Sequence, residues 1–235
     1  MPPELGAIAS LPQSLNINES LILVVKAADV LSALPAERLA LPRNEAERIH
    51  RYKKEDDRRA RRAAHGLLRH CLGTFLSRAP ESLVFTRDAK GRPFLADVEG
   101  WDFNLSHGRR WIAVGISRAG RIGVDVQEGA DSFDWKAVSR AYLHKDEIAT
   151  LQKLSASGQS RAALQLWCLK EAFLKATGEG LSTPPYRLYP RPTEDGWSLS
   201  HQGYELKAAA HFLSDASCCA AWATELAAVT RVMVL

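Results

Sequence analysis

Trp111-Ile112-Ala113-Val114-Gly115-Ile116-Ser117 and Ile122-Gly123-Val124-Asp125-Val126-Gln127 are two alternating stretches parted by Arg118-Ala119-Gly120. A two-residue period is that of a strand, so Ile112, Val114 and Ile116 share one face of the first stretch. The short break makes a β-hairpin the simplest expected connection. In the second stretch Val124 and Val126 point one way while Asp125 and Gln127 point the other, and Glu128 alternates away from Asp125. A carboxylate and an amide oxygen aimed at one space are hard ligands of the kind magnesium takes. Alone the pattern is weak, because a strand with a polar outer face is far commoner than a metal site.

Upstream, residues 45–76 carry the helical period, with Ala64, Leu67, Leu68, Cys71, Leu72 and Phe75 as an apolar stripe. A long helix or a broken pair is expected. Arg58, Arg59, Arg61 and Arg62 crowd the same stretch, either as a solvated helix face or as the face that meets an anionic partner. Residues 88–93 have turn chemistry, and two strands should follow, one from Phe94 and one over Phe103-Asn104-Leu105-Ser106-His107. Downstream, residues 134–154 read as helix, 155–160 as a polar loop and 161–177 as the strongest helix, ended by Gly178, Gly180 and Pro184-Pro185. Residues 204–208 and 220–223 suggest strands closing a second sheet, before the apolar residues 229–235. The expectation is an α+β protein in two halves, residues 1–117 and 118–235, without a sequence repeat between them.

The chain has 235 residues, enough for a substantial core, and 46% hydrophobic with 25% charged residues places it among globular proteins. No apolar run is long enough to span a bilayer, so no membrane partner is expected. Met1-Pro2-Pro3-Glu4 lacks the features of a secretory signal, and cytoplasmic residence is the expectation. Cys71, Cys168, Cys218 and Cys219 have no metal-ligand spacing and read as reduced, structural thiols. A net charge of +4, without basic and aromatic residues interleaved, argues against a nucleic-acid partner.

In the strongest helix, Leu166, Leu169, Phe173 and Ala176 form one stripe, whereas Trp167, Glu171 and Lys175 line up on another. The bland account of that second face is an i, i+4 Glu-to-Lys pair worth about 0.2–0.5 kcal/mol.

Taken together these elements resemble the Sfp-type 4′-phosphopantetheinyl transferases. That family has a Gly-Ile/Val-Asp strand followed some forty residues later by Trp-x-x-Lys-Glu-Ala/Ser-x-x-Lys, matched here by Gly123 to Gln127 and Trp167 to Lys175. Gly91-Arg92-Pro93, Phe103 to His107 and Lys175 to Leu181 match further elements, in family order, over residues 48–181. The resemblance implies two similar α/β halves arranged as a pseudo-dimer, with the first half meeting coenzyme A and carrier and the second holding magnesium and the catalytic helix. It implies transfer of the 4′-phosphopantetheine group from coenzyme A to a serine of an apo acyl, peptidyl or aryl carrier protein, releasing adenosine 3′,5′-bisphosphate.

On the same resemblance, Asp125 and Glu171 are the magnesium carboxylates, and Gln127 stands where the family often has a third acid. Glu171 is the candidate base and Lys175 the charge-neutralising group. Ser106 and His107 would face the 3′-phosphate and adenosine end of coenzyme A. Arg92 would lie beside the phosphates, Arg48 and Arg51 would clamp the 3′-phosphate, and Lys170 is a further coenzyme contact. Glu147 is expected to position Lys175, and Trp167 to be a site wall or simple packing. Two fused halves make a monomer sufficient. The alternative is a weak or inactive coenzyme A-binding module of the same fold, favoured by the missing acid at Gln127.

Overall fold

The computed structural model describes residue 8, residues 11–214 and residues 217–235, so Met1 to Glu4, read above for a signal, lie outside the described residues. The first half runs β1 (Glu19–Lys26), α1 (Ala27–Ala33), α2 (Arg43–His50), α3 (Glu55–Leu76), β2 (Phe85–Arg87), β3 (Pro93–Leu95), β4 (Asp102–His107) and β5 (Trp111–Ser117). The second runs β6 (Ile122–Glu128), α4 (Trp135–Tyr142), α5 (Lys145–Leu151), α6 (Ala156–Thr177), β7 (Arg191–Thr193), β8 (Gly196–His201), β9 (Tyr204–Phe212), β10 (Cys218–Glu225) and β11 (Val229–Val234).

A four-stranded sheet has the order β11-β1-β5-β4, a five-stranded sheet the order β6-β10-β9-β8-β7, and β2 pairs with β3 in a small separate sheet. The order β1-β5-β4 is answered by β6-β10-β9, and each set carries one 22-residue helix, α3 or α6. This is the α+β arrangement of two similar halves. Its similarity lies in topology, which is why no sequence repeat betrays it. β11 returns to the first sheet and pairs in parallel with β1, Glu19 against Val229 through Val24 against Val234.

Alternation along the strands builds the layers. Leu21, Leu23, Val25, Ile112, Val114 and Ile116 face α3. The opposite faces, with Ile22, Val24, Ala113, Val124, Val126 and Ala220, pack the two sheets together. Cys219, Ala221 and Ala223 turn toward α6. The cysteines are free and buried, as structural thiols should be.

Residues 45–76 form the broken pair that the sequence allowed, α2 and α3. Three expectations about elements change. Residues 134–154 break at Leu143, where the chain turns and a capping box starts α5: His144 N donates to Glu147 Oε2 at 2.7 Å and Asp146 N to His144 Nδ1 at 3.3 Å. The polar residues after Ser155 begin α6 rather than a loop, because the Ser155 hydroxyl caps the helix by accepting from Gly158 N and the polar side chains meet solvent. Lastly, β5 and β6 do not form a hairpin. β5 pairs with β1 and β4, while β6 pairs with β10. Alternation reveals a strand's faces and not its partner, and the N–H groups β6 would have offered β5 are taken elsewhere. Asp102 Oδ2 accepts from Ile122 N at 2.8 Å, and Asn104 Oδ1 from Val124 N at 3.0 Å. Two edge strands, β4 and β6, are thus joined by side chains.

Candidate functional site

Along that seam, β4 offers Asp102, Asn104 and Ser106 at every second position. The first two satisfy β6 backbone, and the third reaches its side chains: the Ser106 hydroxyl donates to Asp125 Oδ1 at 3.0 Å. From α6, Lys175 Nζ donates to Asp125 Oδ1 at 2.6 Å, to Ser106 Oγ at 2.9 Å and to Val124 O at 3.2 Å. All three hydrogens of the ammonium are therefore engaged. The other oxygen of the buried Asp125, Oδ2, has no hydrogen-bond partner among the described residues. A buried carboxylate oxygen left bare is costly, and it suits a cation ligand better than a structural group.

Helix α6 can approach β6 this closely because residue 123 is glycine. A Cβ there would lie 2.0 Å from Ala172 O. The glycine next to the acidic strand residue is thus a packing requirement that brings Asp125 and α6 together.

Glu171 lies one helical turn before Lys175, and its carboxylate accepts from the Tyr142 hydroxyl at 2.7 Å. Burial pushes its pKa up and the charge of Asp125 adds to this, while Tyr142 and Lys175 pull it down. Two carboxylates within electrostatic reach, one with a bare oxygen, form an acidic pair that a divalent ion would relieve. Gln127 is exposed further along β6. Glu128 faces away, its Oε1 accepting from Arg110 N at 2.7 Å and Trp111 N at 3.1 Å.

A positive rim lines the other side. His107, at the end of β4, is held down at about 4 by burial and by Arg61, with His65 and Lys175 adding to the effect. It is therefore a neutral imidazole near pH 7. Arg61 stacks over Tyr52 at 3.8 Å, and its buried Nε lacks a partner among the described residues. The arginine cluster on α3 is thus divided: Arg61 lies over Tyr52 within electrostatic reach of His107, Arg58 pairs with Glu55, and Arg59 and Arg62 are exposed. Arg48 is exposed, 3.8 Å from Glu45 Oε1, and helps line a hollow of about 350 Å³ with His65, Thr86, Arg87, Phe103 and Leu105. Arg51 is exposed at the end of α2.

Three sequence expectations are corrected. Arg92 is a buried strut: it grips both oxygens of Asp102 at 2.6 and 2.7 Å and donates to Ile122 O and Lys175 O, each at 2.9 Å. Every nitrogen of the guanidinium thus donates to a protein oxygen, which makes Arg92 first of all a structural tie across the seam. Lys170 is fully buried, its ammonium bonded to Glu147 Oε2 at 2.5 Å and Tyr142 O at 2.8 Å, so it is closed to the coenzyme. Glu147 consequently holds Lys170 rather than Lys175. Trp167 stacks on Tyr142 with ring centroids 3.6 Å apart. Asp102, Asn104 and Tyr142 were not foreseen, because their partners are distant in the chain.

Known proteins resemble this chain in sequence. Residues 121–223 match the 4′-phosphopantetheinyl transferase superfamily, and residues 31–118 match a family described as 4′-phosphopantetheinyl transferase, N-terminal. The chain is 32% identical over 152 residues to a protein of Synechocystis sp. that bears the 4′-phosphopantetheinyl transferase name, covering 63% of this chain and 61% of that one. It is 28% identical over 173 residues to 4′-phosphopantetheinyl transferase HetI of Nostoc sp., covering 68% and 72%. With 4′-phosphopantetheinyl transferase Sfp of Bacillus subtilis it shares 28% over 113 residues, covering 48% and 49%. The chain thus covers less than two thirds of the Synechocystis and Sfp proteins' own lengths.

Proposed function

Because this chain belongs to the 4′-phosphopantetheinyl transferase superfamily, we propose that it transfers the 4′-phosphopantetheine group of coenzyme A to a serine of an apo acyl, peptidyl or aryl carrier protein. The observation that carries this reading is the meeting of Asp125, Lys175 and Ser106 at the seam between the halves, with Glu171 in electrostatic reach and one Asp125 oxygen bare.

Asp125 Oδ2 and Glu171 would hold Mg²⁺, with the Gln127 amide at the margin; when bound, the ion would neutralise charge on the pyrophosphate. Everything else falls to the chain's own residues. Lys175 exchanges one of its three contacts for the oxygen bridging the two phosphates. The serine oxygen forms a bond to the β-phosphorus as the bond from that phosphorus to the bridging oxygen breaks. Adenosine 3′,5′-bisphosphate leaves with that oxygen, and the serine proton passes to Glu171, whose burial favours accepting it. Ser106, His107 and Arg61 would face the 3′-phosphate side, and Arg48, which lines the neighbouring hollow, and the exposed Arg51 would clamp that phosphate.

In this scheme residues 1–117 meet coenzyme A and the carrier, and residues 118–235 supply the metal and the catalytic helix. Exposed Arg59 and Arg62 would steer an acidic carrier. No helix among the described residues is long and apolar enough to cross a membrane. Residence in the cytoplasm as a monomer is a separate part of this proposal. The test is incubation with coenzyme A, Mg²⁺ and a panel of apo carriers, reading the mass of each. Phosphopantetheine addition to at least one carrier, dependent on metal, is the expected result; no addition to any overturns the reading.

A further inference from the structure

We propose that Tyr142 is a positioning residue for Glu171, fixing the carboxylate so that its second oxygen is presented to the metal beside Asp125. The inference rests on the metal reading above.

Tyr142 is the last residue of α4, and it is held at three points. Its ring lies parallel to Trp167, 3.6 Å between centroids and 12° between planes. Trp167 is in turn fixed edge-on by Phe133 at 5.7 Å. The Tyr142 carbonyl accepts from Lys170, whose ammonium is buried against Glu147. Its hydroxyl is thereby delivered to Glu171 Oε1 at 2.7 Å. Among the described residues no other donor reaches Glu171, because Lys175 on the same helix face is committed to Asp125, Ser106 and Val124 O.

A glutamate on a helix has three soft side-chain torsions, and a carboxylate ligand free to turn loses entropy when it binds an ion. Tying one oxygen to a rigid phenol removes that freedom and leaves the other oxygen open, as outer-shell donors do for metal ligands. The device matters more in a site whose third position is the neutral Gln127, where two carboxylates carry the whole charge. The buried Glu147–Lys170 pair then has a purpose in the site: it anchors the end of α4 from which the phenol reaches Glu171.

The experiment uses the full chain with Mn²⁺ as probe and coenzyme A present, without any carrier, reading free Mn²⁺ by electron paramagnetic resonance. Tyr142→Phe keeps the ring and its stack but removes the donor. It should raise the Mn²⁺ Kd by roughly 10-fold, within the span seen when outer-shell donors are removed. Its thermal midpoint and its metal-free affinity for coenzyme A should stay at wild-type values. In a Glu171→Gln background the same change should have no further effect on Mn²⁺. Equal or tighter Mn²⁺ binding by Tyr142→Phe overturns the inference, since a ring that only packs predicts equality. Absence of Mn²⁺ binding by the wild-type chain overturns the metal reading itself, and this inference with it.

Discussion

Lys175 reaches Asp125 across 2.6 Å and, in doing so, ties the last turn of α6 to the middle of β6. The same ammonium touches Ser106 of β4, so one side chain joins both halves at the point where the chemistry is placed. Replacing it should do two things at once. Lys175→Ala should lower kcat by about 10²–10³, the scale for loss of a charge-stabilising donor, and should remove a positive charge from the site and so raise its affinity for cations. Single-turnover transfer and Mn²⁺ titration check the two halves of that statement. Lys175→Met without any change in metal affinity would contradict the second.

Glu171→Ala and Asp125→Ala should each reduce transfer by at least ~10²-fold, the lower bound expected for a general base or metal ligand. Both variants should unfold cooperatively near the wild-type temperature. Near-normal turnover in Glu171→Ala would remove that residue from the reaction.

The buried pair of Lys170 and Glu147 separates architecture from chemistry. Glu147→Gln or Lys170→Met alone strands a charge in a dry environment and should cost about 3–5 kcal/mol in urea unfolding. Removing both charges together, as Glu147→Leu with Lys170→Met, should restore much of that loss. A Lys170 variant of normal stability that fails to bind coenzyme A would reinstate this lysine as a ligand.

The imidazole of His107 sits at about 4, against 6.5 for the free side chain, because it is buried and lies near Arg61. Between those two values the unfolded chain binds more protons than the folded one. The contribution is therefore fully present above pH 6.5 and is lost as pH falls toward 4. His107→Gln should flatten the dependence of unfolding free energy on pH across that window, and the wild-type imidazole should titrate by NMR near its lower end.

Arg92 offers a further test of the seam. Lysine cannot reproduce its fork on Asp102 together with bonds to Ile122 O and Lys175 O. Arg92→Lys should destabilise the protein by about 1–3 kcal/mol, the cost of leaving buried acceptors unpaired, with denaturant unfolding as the measure. A stability equal to wild type together with weaker coenzyme binding would mark Arg92 as a ligand after all.

Much of this site was legible because its chemistry is written in two short motifs whose periods fix their faces. Asp125 two residues before Gln127, and Glu171 four before Lys175, state which side chains share a direction, and the structure brings Asp125 and Lys175 into contact. What could not be read is what lies opposite each residue. Arg92 and Lys170 are cations in family positions, yet burial and local carboxylates decide that they bind protein instead. Asp102 and Asn104 resemble ordinary strand polar residues, and their partners are backbone amides twenty positions away. The β5–β6 hairpin failed for the same reason, since side chains stand in for a strand. Tyr142 carries no motif, and only the packing of α4 on α6 gives its hydroxyl a target.

β11 pairs with β1 although more than two hundred positions separate Glu19 from Val229. On a ribosome, the first half emerges with an open sheet edge along β1, and that edge waits until β11, which follows all the other strands of the second half, has been made. Co-translational folding of the first half alone would leave this edge available to other nascent chains. The four-stranded sheet is thus completed only after the strands of the second half have been made. Splitting the gene between them would yield a first piece that cannot finish its own sheet.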